Sequence, residues 1–65
     1  MNSNKKEDLI KLYNELQELW WQKKHDNNAS IDGVKGYEHV DVAANYLKMQ
    51  VIEEIMKKVN DLIEA

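Results

Sequence analysis

An all-α fold, an antiparallel hairpin of two long helices, follows from three features of this 65-residue sequence. Apolar residues recur at three- and four-residue spacing on both sides of the middle of the chain, the signature of one-sided helices. Proline is absent, so neither periodic stretch carries a built-in break. The only two glycines, Gly33 and Gly36, both fall in the segment between the two stretches.

The first helix is predicted over about residues 4–25. Asn4 is placed to cap it, with Glu7 three residues on as the reciprocal member of a capping box. Glu7 and Asp8 suit the positive N-terminal end, and Lys23, Lys24 and His25 suit the negative C-terminal end. Leu9, Leu12, Tyr13, Leu16, Leu19 and Trp20 form its apolar face, with Ile10 and Trp21 widening the band to one side.

Residues 26–37 are predicted to be a loop. Asp26-Asn27-Asn28 and Ser30-Ile31-Asp32-Gly33 are turn-forming runs, and Ile31, Val34 and Tyr37 are spaced to fold inward over the open end of the hairpin. The second helix is predicted over about residues 38–64, with Gly36 or Asp41 as its cap. Its C-terminal half carries Val51, Ile52, Ile55, Met56, Val59, Leu62 and Ile63, which spread over roughly 140° of helix surface at about 100° per residue. One neighbouring helix covers a narrower stripe than that. A second copy of the chain is therefore expected to cover the remainder, giving a homodimeric four-helix bundle. Val42, Ile52, Met56, Val59 and Ile63 are the expected interface residues.

Size and composition point the same way. A chain of 65 residues makes one domain, here residues 1–65, and a domain this small leans on disulfides, metals or oligomerisation. There is no cysteine, and two histidines cannot make a structural zinc set without carboxylate help. All nine basic residues are lysine and the formal net charge is −3, so the arginine fork that reads bases and grips phosphate is missing; nucleic acid is not an expected partner. The start of the chain, Met1-Asn2-Ser3-Asn4-Lys5-Lys6, is polar and reads as neither a leader nor a membrane span, which predicts a cytoplasmic protein. The lysine, asparagine and isoleucine bias is that of an AT-rich coding sequence, as in low-GC bacteria and their phages.

Three local patterns bear on chemistry. Residues 28–33, Asn28-Ala29-Ser30-Ile31-Asp32-Gly33, partly match a calcium loop, but position twelve is His39 and the closing bidentate acid is missing. His25 and His39 read as solvated helix-end residues, and no nucleophile–base pattern or phosphate-binding glycine loop accompanies them. Neither catalysis nor a bound cofactor or metal is expected. Trp20-Trp21 is the most unusual pair: adjacent helix positions diverge by about 100°, so one indole is expected in the core and Trp21 outside it. Trp21, Tyr46 and Met49 are the expected partner-binding residues, since aromatic and thioether side chains dominate protein contact sites. The sequence thus predicts a non-catalytic regulatory or inhibitory protein that binds another protein. A pure self-assembly module and a degenerate calcium-binding hairpin are the alternatives.

Overall fold

The computed structural model describes residues 4–65. It contains two helices, α1 (Lys5–Ile31) and α2 (Val42–Glu64), which pack against each other as a hairpin. There is no strand among the described residues. The hairpin measures 48 × 18 × 13 Å, the dimensions of two helices side by side with no further layer over them. Residues 1–3, the first part of the polar start, lie outside the described residues.

Each helix contributes a seam of alternating three- and four-residue steps. On α1 it runs through Leu9, Tyr13, Leu16, Trp20, Lys23 and Asn27; on α2 through Val42, Asn45, Met49, Ile52, Met56, Val59 and Ile63. Such a 3.5-residue repeat keeps one side chain per half-heptad facing the neighbouring helix. Met49, Ile52 and Val59 are the buried centre of this seam, Met49 at only 4% exposure. Tyr13, Leu16, Trp20 and Met56 are half-buried around them.

The helix bounds depart from the sequence prediction at the turn. α1 runs six residues beyond residue 25, and α2 starts four residues after residue 38. The cause is Asn27. Its side chain is fully buried, donates to the Val42 carbonyl at 3.3 Å, and accepts from Asn45 Nδ2 at 3.0 Å. An asparagine costs a helix less than about 0.7 kcal/mol relative to alanine, which a partnered position in the seam readily offsets. Asp26-Asn27-Asn28 is therefore helical rather than a turn. As a result Lys23, Lys24 and His25 sit mid-helix, and the last turn of α1 carries no basic residue.

Gly33 supplies the real stop. With φ +75° it occupies the left-handed position after the Asp32 cap. The Gly33 amide donates to the Ser30 carbonyl and the Val34 amide to that of Ala29, at 3.1 and 2.9 Å. This pair of bonds is a Schellman ending, which satisfies carbonyls the helix would otherwise leave free. Gly36, at φ +97°, lets the chain turn again, with the Tyr37 amide closing on the Val34 carbonyl at 3.2 Å. α2 then opens on Asp41, whose carboxylate accepts from the Ala44 amide at 3.0 Å. Of the two predicted caps for this helix, Asp41 is the one used. Asn4 is the cap residue of α1, but its side chain makes no capping bond: its backbone (φ −100°, ψ 32°) lies outside the extended geometry that aims a capping side chain back at the helix.

The expected inward fold of the loop is found for Tyr37 alone, whose ring is half-buried with its centroid 5.9 Å from that of His25. Ile31 is 62% exposed, and Val34 is exposed as well. The reason is a length mismatch. α2 begins opposite Asn27, so the last turn of α1 runs past its neighbour; Ala29 is buried there, while Ile31 on the same turn stays exposed.

Candidate protein-binding surface

The seam uses residues that the sequence reading assigned elsewhere. Val42, Ile52, Met56, Val59 and Ile63, the expected interface with a second copy, all lie along the line where α2 meets α1 of the same chain. Met49, an expected partner-binding residue, is the most deeply buried apolar side chain among the described residues. In the hairpin these six positions are turned toward α1, and the surface offered outward is made by other residues.

The largest outward apolar feature is a second row on α2. Leu47, Val51 and Ile55 follow one another at four-residue steps, and Leu62 continues the row one heptad after Ile55. All four are exposed, Leu47 at 64%, Val51 at 53% and Leu62 at 60%. At about 100° per residue this row points roughly 125° away from the seam, so α1 leaves it largely uncovered. The broad apolar face of α2 therefore divides in two: one half is closed by α1, the other is open.

Lys23, one step along α1 from Leu19, lines a shallow groove with Leu47, Lys48, Val51 and Ile52. Leu12, Leu19 and Lys23 thus flank the same side of the seam as the outer row of α2. Leu12 and Leu19 are themselves exposed on α1. The row on α2 is bordered by Lys23 and Lys48 near the turn and interrupted by Lys58 between Ile55 and Leu62.

The opposite flank has a different character. There Gln17, Trp20, Trp21, Glu53 and Met56 line one groove, and Tyr13, Glu53, Met56, Lys57 and Asn60 line the next. The Trp20 indole N–H donates to Glu53 Oε2 at 2.8 Å, a bond that ties the two helices together on this side. The Lys24 ammonium stands 5.8 Å from the Trp20 ring centroid, within cation–π range. Trp21 meets Trp20 edge-on, centroids 4.9 Å apart, and remains 56% exposed. Tyr46, seven residues before Glu53, shares this flank and is also exposed. The structure therefore brings Trp21 and Tyr46 to one side and removes Met49 from their company.

The calcium-loop pattern begins inside a helix. Asn28 and Ser30, its first two oxygen ligands, are in the last turn of α1, where residues two apart diverge by about 200° and do not close around a common ion. His25 is within α1 and His39 in the connection. No helix among the described residues is long and apolar enough to cross a membrane.

Sequence reasoning missed two groups. Asn27 falls in the predicted loop and Asn45 is given no role by the sequence, although Asn27 lies seven residues after Trp20 and Asn45 seven before Ile52, each in phase with the seam. The heptad phase was the available signal. Ile55 and Leu62 belong to the broad apolar face that the sequence pattern leaves undivided. Choosing between two apolar rows on one helix requires knowing which row the first helix covers. Comparison with known protein families, curated proteins and solved structures finds no match to this chain.

Proposed function

We propose that this chain is a non-catalytic binding protein, regulatory or inhibitory in action, that works as a pair of helical hairpins joined in a four-helix bundle. One observation carries the reading: the row Leu47, Val51, Ile55 and Leu62, apolar and exposed along the length of α2. An exposed apolar row of this length marks a place where another protein surface sits. In the bundle, the row pairs the copies, while Trp21 and Tyr46 on the other flank stay available for a foreign protein.

Light scattering combined with binding of an apolar dye tests this. The expected result is a mass of two chains together with dye fluorescence that Trp21→Ala reduces. A two-chain mass with no dye binding would make the chain a self-assembly module only. A one-chain mass at micromolar concentration would remove the pairing.

A further inference from the structure

We propose that α1 carries a docking groove for a cationic amphipathic helix of another protein, with Leu12, Leu16 and Leu19 as its floor and Glu15 and Glu18 as its rim. The site lies on α1 and stands whether or not two copies pair through α2.

Three observations lead to it. The first is the order of side chains around α1. Leu12, Leu16, Leu19, Glu15, Glu18 and Gln22 line one groove. At about 100° per residue they run outward from the seam as Leu16, then Leu12 and Leu19, then Glu15 and Gln22, then Glu18. Leu16 is half-buried and Leu12 and Leu19 are exposed, so an apolar strip is edged along its outer side by carboxylates.

The second observation is charge. From Leu12 to Gln22 the helix holds two acids and no lysine, in a chain with nine lysines. Lys11 and Lys23 stand just beyond the two ends of this stretch, and Lys58 belongs to α2 and does not line the groove. Among the described residues neither Glu15 nor Glu18 takes part in an ion pair. The groove beside the outer row of α2 has the opposite sign: Lys23 and Lys48 line it, and no acid does. A basic partner is therefore drawn to α1 and kept off α2.

The third is spacing. Leu12, Leu16 and Leu19, at steps of four and three, form a ridge that packs against apolar residues of the same spacing on another helix. The stretch from Leu12 to Gln22 is about 15 Å long, roughly three turns. The occupant is thus a helix of about that length, apolar on one face, with lysine or arginine on the edge that meets Glu15 and Glu18. Exposed ion pairs add little affinity each, so the apolar floor holds the partner and the carboxylates select its charge.

Two dye-labelled peptides of about four helical turns test this, both with leucine at three- and four-residue steps, one with lysine and the other with glutamate at the remaining positions. Fluorescence anisotropy should show the lysine peptide binding at least several-fold more tightly than the glutamate peptide, with an affinity that falls as salt is raised. The double variant Glu15→Gln, Glu18→Gln keeps the helix propensity of both exposed positions, and circular dichroism confirms that it folds. It should bind the lysine peptide several-fold more weakly and with a flatter salt dependence, whereas Val51→Gln on α2 should leave binding unchanged. Weakening by Val51→Gln in place of the double variant would overturn the α1 site while leaving a protein-binding role intact. Equal binding of the two peptides, or binding of neither, would overturn the proposal. So would a two-chain mass by light scattering that the double variant reduces to one chain, because a second copy would then occupy the groove. A one-chain mass for the unmodified chain, with the lysine peptide bound and sensitive to the double variant, would support the α1 site and remove only the pairing.

Discussion

Two rows of similar residues run along α2, and they live in opposite surroundings. Met49, Ile52 and Val59 are buried against α1, whereas Leu47, Val51, Ile55 and Leu62 are exposed. Nothing in the hydrophobicity of the two rows separates them. What separates them is the helix opposite. The seam row is in phase with Asn45, which bonds Asn27, and with the flank on which Glu53 accepts the Trp20 indole bond. These polar links fix which stripe of α2 faces α1. Apolar burial supplies most of the stability, but it is nearly indifferent to rotation of a helix with a face this broad. Hydrogen bonds between buried partners are not indifferent, because a rotated helix would leave them unmade.

The comparison can be broken most strongly at the seam. Ile52→Ala deletes buried volume at the centre of the hairpin, and the expected cost is about 2–5 kcal/mol. For a domain of this size that is a large part of the total stability, so thermal unfolding followed by circular dichroism should show a folded fraction much reduced at room temperature. The equivalent change in the outer row, Val51→Ala, should alter the hairpin's own stability by about 0.5 kcal/mol or less when the protein is dilute.

Asn27 gives the next effect. Asn27→Ala leaves Asn45 and the Val42 carbonyl without their partner in a part-buried site, with an expected loss of about 1–3 kcal/mol by urea denaturation. Replacing both asparagines by leucine should cost little or even stabilise the fold. It should also broaden the amide spectrum in nuclear magnetic resonance, because the polar link that selects one rotation of α2 is gone. A sharp, single set of resonances from that double variant would contradict the role given to the pair.

The smallest effect is at the cap. Asp41→Ala removes the carboxylate that accepts from the Ala44 amide and should lower stability by about 1 kcal/mol, whereas Asn4→Ala should change it by a few tenths at most. Comparing the two midpoints of urea denaturation checks the distinction.

Much of the fold was legible in the sequence. The number of helices, their hairpin arrangement and the turn glycines all follow from residue types at fixed spacing, and Asp41 was one of two candidates for the cap it forms. The end of α1 did not. Asn27 and Asn28 carry strong local turn preference, and only a partner 15 residues away, the Val42 carbonyl, turns Asn27 into a helical seam residue. Local propensity is a weak term, and a tertiary hydrogen bond outweighed it. The surface was half legible. An excess of apolar residues on α2 was visible, and Trp21 and Tyr46 are exposed on one flank of the hairpin. Met49, Ile52 and Val59 were assigned outward because seven-residue recurrence identifies a seam without saying which helix it faces.

The most direct test of the account is equilibrium unfolding of the unmodified chain and of Val51→Glu at two protein concentrations a hundredfold apart. A fold completed by a second copy has a midpoint that rises with concentration, since association stabilises only the folded form. The account predicts that rise for the unmodified chain and a concentration-independent midpoint for Val51→Glu. An unmodified chain whose midpoint stays fixed across the hundredfold range would contradict it.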